Sequence, residues 1–281
     1  MAKFPYQDGV AVVTGAASGI GAELAAGLAA KGSHLALVDM DEDRLAQVAS
    51  RLGNRGVRIS THVADVAKPD TATRLLGEVK AQHGRATMLF NNAGVALGGF
   101  FDEVPEDRFD WLMQVNFHGP VRLTRAFLPM LEAQDQAQIV NTSSVFGLIG
   151  PPEQTAYAAS KFALRGFSEA LRNELEGSTV GVSTVHPGGV NTRIVKNAIL
   201  SGDPAEAEAR AAEFRKNLKL APDKAAEIIL RGVEQRRARI LVGSDAKFID
   251  LIQRLMPVRH ATLLKLIFSG GASRDDARKT R

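Results

Sequence analysis

The stretch VAVVTGAASGIGAELAAGLAAKG, residues 10–32, passes from strand to helix through one glycine-rich turn. Val10, Val12 and Val13 make a short β-branched run, a buried-strand pattern, and Gly15 ends it. From Ile20 onward the alanines and leucines read as a helix. At the junction Gly15, Gly19 and Gly21 are spaced as GxxxGxG, which departs from the more familiar GxGxxG. Glycines in such a turn let the backbone approach a pyrophosphate, and the helix N-terminus offers unpaired N–H groups to its charge. A plain tight connection would look similar. The position directly after the first strand favours a dinucleotide.

Outward from this stretch, apolar runs and helical patterns alternate. The further strand-like runs are residues 34–39, 57–65, 86–94, 137–144, 180–188 and 239–243. Helical patterns fall between them, including a long region at 105–133 and another at 155–176. Near-continuous apolar strands separated by helices predict a parallel sheet covered on both faces. With right-handed crossovers this is a Rossmann-type, doubly wound α/β fold of about seven strands. Residues 1–243 read as one dinucleotide-binding and catalytic domain, and 244–281 as an amphipathic helical extension with a basic tail. Residues 192–220 form a helical excursion between two strands, broken by Gly202 and Pro204 and suited to covering a ligand site.

Composition narrows the function. Of 281 residues 45% are hydrophobic and 23% charged, the balance of an ordinary globular protein with ample core. There is no cysteine, so disulfides and thiolate nucleophiles or ligands are excluded. The six histidines show no metal-binding spacing, and no metal is expected. Net charge is +4 without a basic stripe interleaved with aromatics, which gives nucleic-acid binding no support. No secretory pattern and no run of ~20 apolar residues is present, so the expectation is a cytoplasmic protein.

Two further features carry chemistry. Tyr157 and Lys161 lie four residues apart in TAYAASKFAL, residues 155–164, on one face of a predicted helix. An exposed pair would look the same; the sharper expectation is a phenol, with an ordinary pKa of about 10, lowered by the ammonium. Asp39 ends the second strand, 18 residues past Gly21. A carboxylate there accepts hydrogen bonds from an adenosine ribose and repels a 2′-phosphate, although it could equally cap the next helix. Unit charges ~4 Å apart interact by about 4 kcal/mol near a protein surface, so NAD is expected over NADP by on the order of a hundredfold.

Together TGAASGIG, NNAG at 91–94, Asn116, Ser144, YAASK and HPG at 186–188 resemble the classical short-chain dehydrogenase/reductase family, in order over about residues 8–243. The resemblance implies that Tyr157 is the general acid/base and that Ser144 holds the substrate oxygen. It implies that Lys161 binds the nicotinamide ribose and, with the oxidised ring's positive charge, lowers the phenol's pKa, and that Asn116 places a proton-relay water. The cofactor set it implies begins with Gly15, Ser18, Gly19, Ile20, Gly21, Asp39, Asp65 and Val66. It continues through Asn92, Ala93, Gly94, Tyr157, Lys161, Pro187, Gly188, Val190 and Thr192. Ser143 is left without a catalytic role, since it faces the other side of its strand.

Phe146, Leu148, Ile149, Val190, Ile194 and Ile199 are candidate pocket residues, with Gln154 and His186 as polar contacts, though the apolar ones suit a core equally. An apolar secondary alcohol or ketone fits them. Arg193 is the lone candidate for an anionic group. The expected activity is NAD-dependent hydride transfer at a CH–OH group. An NADPH-type 3-oxoacyl-thioester reductase and a non-catalytic NAD-binding redox sensor are the alternatives. In 246–268, Phe248, Leu251, Ile252, Leu255 and Met256 make one apolar face before Pro257. Leu263, Leu264, Leu266, Ile267 and Phe268 follow beside Arg259, His260 and Lys265. Packing on the domain or on a subunit is preferred over a surface-lying membrane anchor. The family resemblance implies a homodimer or homotetramer.

Overall fold

Every apolar run read from the sequence is a strand of one parallel sheet. In the computed structural model, which describes residues 3–53, 56–196, 198–215 and 218–262, the first four are β1 (Val10–Thr14), β2 (His34–Asp39), β3 (Ile59–Val63) and β4 (Met88–Asn91). After a short β5 (Leu97–Gly98) come β6 (Ala137–Thr142), β7 (Val180–Pro187), a short β8 (Ile199–Leu200) and β9 (Arg239–Val242). The sheet order is β3-β2-β1-β4-β6-β7-β9. The order reverses between β1 and β4, and the crevice beyond the carboxyl ends of those strands is where such sheets bind ligands.

Adjacent residues on each strand serve opposite layers. Val13, Leu37, Phe90 and Val140 pack with α1 (Gly19–Ala30), α2 (Glu42–Leu52) and α9 (Pro222–Glu234). Val12, Ala36, Leu89 and Ile139 pack with α3 (Thr71–His83), α5 (Gly119–Glu132) and α6 (Thr155–Glu174). That double burial is why the strands read as unbroken apolar runs rather than as alternation. Each fully buried leucine contributes about 1.5–3 kcal/mol of transfer free energy.

Three local readings change. The region 105–133 is not one helix: α4 (Glu106–Met113) is followed by a π-helical turn, Gln114–His118, and only then by α5. Pro120 in the first turn of α5 has no N–H to continue the ladder of α4, and the wide turn puts buried Asn116 on the inside. The excursion at 192–220 is α7 (Arg193–Lys196) and α8 (Pro204–Arg215) with β8 between them, and β8 pairs in parallel with β5. The apolar face expected on α10 (Ser244–Leu255) is divided. Ala246, Ile249 and Ile252 pack on Val145, Phe146, Ile149 and Leu241, whereas Phe248, Leu251 and Leu255 are exposed. Leu263–Phe268, expected to extend that face, lie outside the described residues. No helix among the described residues is long and apolar enough to cross a membrane.

Candidate active site

A cleft of about 1870 Å³ opens at the carboxyl edge of the sheet. One end is built mostly of backbone. Gly15 and Gly19 have φ of 68° and 54°, in the left-handed region that favours glycine. A Cβ on Gly15 would lie 2.9 Å from the Ala93 Cα, and one on Gly21 would overlap the Gly15 carbonyl. Ser18 is the N-cap of α1 in an extended conformation without a side-chain capping bond, so the first-turn N–H groups face the cleft without that partner. A glycine cradle below an uncapped helix N-terminus fits a dinucleotide's pyrophosphate.

Asp39 sits at the rim of this end. Its carboxylate accepts hydrogen bonds from the Ala17 N–H at 3.0 Å and the Asp41 N–H at 3.1 Å. It therefore stitches the glycine turn to β2, while spare lone pairs face the cleft. Asp65, Val66, Ala93 and Gly94 line the same region. Asn92 also lines it, but its side-chain amide donates to the Thr14 carbonyl at 3.1 Å. Thr14, which sequence reading passed over, accepts from the N–H groups of Asn92 and Ala93, both at 3.0 Å, and so fixes the floor. Arg44, paired with Asp41 at 3.0 Å, is another missed residue lining this end. It sits in the first turn of α2, away from the glycine turn.

At the other end Ser144, Tyr157 and Lys161 converge. Lys161 is buried and donates to the Thr142 carbonyl at 3.0 Å, with its ammonium 5.6 Å from the centre of the Tyr157 ring. Burial brings Lys161 down to about 8. Burial also pushes the Tyr157 phenol up to about 12, with the Ser144 hydrogen bond pulling the other way. Burial thus outweighs the Ser144 hydrogen bond and holds the phenol above its ordinary value of about 10. The Ser144 oxygen accepts from the Phe146 N–H at 3.1 Å, which leaves its O–H to donate elsewhere.

Side chains behind these groups hold them in place. The Ser143 hydroxyl donates to the Lys161 carbonyl, but Ser143 follows β6 rather than lying within it and also lines the cleft, so the opposite-face expectation does not hold. Asn116 does not line the cleft. Its amide oxygen accepts from the Val95 N–H at 2.9 Å and its nitrogen donates to Ser160, whose hydroxyl donates to the Tyr157 carbonyl. A Cβ on Gly94 would lie 3.2 Å from the Asn116 amide oxygen and 3.4 Å from the Lys161 ammonium, so Asn116 and Lys161 flank the same glycine. Asn91 bonds Asn141 and Thr124, a structural role within the sheet.

Phe146, Ile149, Gln154, Val190 and Ile194 line the cleft, as do Pro187, Gly188, Thr192 and Arg193. Phe146 meets Tyr157 edge to face, with ring centres 6.1 Å apart. Three expected pocket residues are elsewhere. Leu148 is core, and Ile199 packs against the small cluster of Leu97, Leu112 and Ala156. His186 is fully buried behind Ser144, where its Nδ1 donates to the Ser144 carbonyl at 2.9 Å, and burial brings it down to about 4. A strand-end histidine reads as a pocket residue when the register of its strand is unknown. Trp111, Leu200, Leu218 and Ile249 complete the apolar wall and were not foreseen. Asp245, at the start of α10, accepts from the Gly189 N–H at 2.6 Å and holds the 187–189 loop. Among the described residues no three His, Asp or Glu side chains cluster to hold a metal ion.

Comparison with known proteins agrees with this geometry. The short chain dehydrogenase family model matches residues 9–201. SadH of Mycobacterium tuberculosis, an oxidoreductase by name, is 40% identical over 262 residues, covering 92% of this chain and 95% of its own. A short chain dehydrogenase/reductase from Burkholderia phymatum, solved in complex with NAD, superposes with a TM-score of 0.84 at 30% identity. It covers 90% of this chain and 95% of its own. An alcohol dehydrogenase from the archaeon Thermococcus sibiricus, complexed with 5-hydroxy-NADP, gives 0.73 at 27% identity over 84% of this chain and 96% of its own. The chain belongs to the short-chain dehydrogenase/reductase family of oxidoreductases.

Proposed function

We propose that the protein is an NAD-dependent oxidoreductase acting on apolar secondary alcohols or ketones, with Tyr157 as general acid/base. The observation that carries this reading is the convergence of Ser144, Tyr157 and Lys161 on the cleft whose far end holds the glycine turn and Asp39. When bound, the nicotinamide would supply the hydride donor or acceptor. The groups expected to hold the dinucleotide are the glycine turn, Asp39, Asp65, the 92–94 loop, Lys161 and the 187–192 loop.

In the reductive direction Tyr157 suits proton delivery to an alkoxide. Raised to about 12, the phenol keeps its proton at neutral pH, and an alkoxide is basic enough to take it. Ser144, with its oxygen engaged by the Phe146 N–H, turns its O–H toward a substrate oxygen. Lys161, at about 8, is largely cationic at neutral pH and stabilises the phenolate left behind. Asn116 anchors the Tyr157 turn through Ser160 and flanks Lys161, as a proton-relay residue would. The wall of Phe146, Ile149, Leu200 and Ile249 supports an apolar substrate.

Arg44 is the observation behind the NADPH-dependent reductase alternative: it lines the adenosine end and could meet a 2′-phosphate if it left Asp41. Titration with NADH and NADPH separates the two, and Asp39 favours NADH. A cytoplasmic homo-oligomer belongs to the same proposal. The test of catalysis is Tyr157→Phe, expected to lower turnover by about 10²–10⁴-fold with NADH affinity retained. Normal turnover would remove Tyr157 from the mechanism.

A further inference from the structure

The C-terminal helix α10 presents an apolar surface that nothing in the described chain covers. Phe248 is 39% exposed, Leu251 53%, Leu255 71% and Val258, in the turn after Pro257, 87%. Phe248, Leu251 and Leu255 recur at intervals of three and four and form one stripe on α10, and Val258 follows just beyond the helix end. Among the described residues it is the largest run of exposed apolar side chains along one element.

Charge is sorted around this stripe. The acids of α10 turn inward: Asp245 is bound to the Gly189 N–H, and buried Asp250 is paired with Arg239 at 2.8 Å. The bases turn outward, with Lys247, Arg254 and Arg259 exposed. Arg254 keeps one long contact of 3.8 Å to Asp250 with its side chain 68% exposed. The same asymmetry holds in the sequence. Residues 244–281 carry eight of the 35 lysines and arginines and four of the 31 acids, so the entire net charge of +4 lies in this stretch and residues 1–243 are neutral. The exposed stripe runs toward the cleft, because His260 and Ala261, directly after Val258 and Arg259, line its rim.

We propose that this face docks the protein on an anionic lipid surface, with α10 lying in the headgroup plane and the cleft mouth beside it. Apolar side chains flanked by lysine and arginine, with every acid of the helix withdrawn, are what an interfacial helix requires. A second copy meeting this face would add three more bases to the patch and no exposed acid of α10 to pair with them, which disfavours a self-complementary contact through it. The inference is independent of the reaction catalysed.

The test is co-sedimentation of the full chain with phosphatidylcholine vesicles containing phosphatidylglycerol, against phosphatidylcholine alone. Binding to the anionic vesicles is expected, falling with added salt. In Leu251→Glu/Leu255→Glu it should fall at least tenfold, with an unchanged melting curve. Arg254→Gln and Arg259→Gln should each weaken it by about fivefold. Three results would overturn the proposal: no binding to anionic vesicles, binding that these substitutions leave unchanged, or a wild-type oligomer that the Leu251→Glu/Leu255→Glu protein loses in light scattering without any vesicle binding.

Discussion

The two ends of the cleft are made in opposite ways. The glycine-turn end is mostly backbone: a glycine turn and a helix N-terminus, with Asp39 at the rim and Asp65 and the 92–94 loop beside them. The other end, proposed for substrate, is side chain, gathered from α4, the turn after β6, the 187–194 loop, β8 and α10. Backbone geometry tolerates few substitutions, whereas an apolar wall absorbs many with graded cost. The first end therefore defines a family and the second can be remade for a new substrate.

Substitutions at each end should respect that division. Gly21→Ala forces a methyl into the Gly15 carbonyl and should open the turn, weakening NADH binding on the order of a hundredfold by fluorescence titration. Binding within a few-fold of wild type would mean the turn is not the pyrophosphate cradle. Asp39→Asn keeps most of the turn's hydrogen bonds but removes the charge. The ratio of NADH to NADPH affinity should narrow by on the order of a hundredfold, and an unmoved ratio would transfer the discrimination to another residue such as Arg44.

Behind Ser144 the expected effect is on stability. His186 sits at about 4 in the fold against an ordinary 6.5. Between those values the unfolded chain takes up a proton that the fold does not, so stability falls as pH drops from 6.5 through 4. The loss should reach about 3 kcal/mol. His83, also brought down to about 4, adds to the same slope, so thermal melts of wild type and His186→Asn are compared. An identical acid slope in the two would contradict the burial argument. At the substrate wall, Ile249→Val removes one methylene and should raise KM for bulky ketones only a few-fold, with kcat and NADH affinity unchanged. A fall in kcat alone would place Ile249 nearer the reacting atoms than the wall.

The same contrast decided what could be read from sequence. All seven strands of the main sheet were legible because burial on both faces leaves unbroken apolar runs, and the glycine turn because its function needs glycine. Ser144, Tyr157 and Lys161 were legible as a spaced set. The π-helical turn at Asn116 was not, because Asn116 sits within an otherwise helical pattern and its partner is a backbone group at Val95. Nor was the β5–β8 pair, whose two-residue strands lie about a hundred positions apart and carry no periodicity. His186 was misplaced and Ile249 missed for one reason: the side chains that line a pocket depend on register and on how α10 folds back, which are tertiary facts. The apolar stripe of α10 was seen as a stripe, but which part of it the domain covers was not readable.

The central claim is that Ser144, Tyr157 and Lys161 serve hydride transfer to an apolar carbonyl. The most direct measurement is to incubate the protein with NADH deuterated at the transferring position and a panel of bulky ketones, and to find the deuterium by mass spectrometry. We predict label on the carbinol carbon of at least one alcohol product with wild type and almost none with Tyr157→Phe. NADH binding with no label transferred to any ketone would contradict the claim and favour a redox sensor.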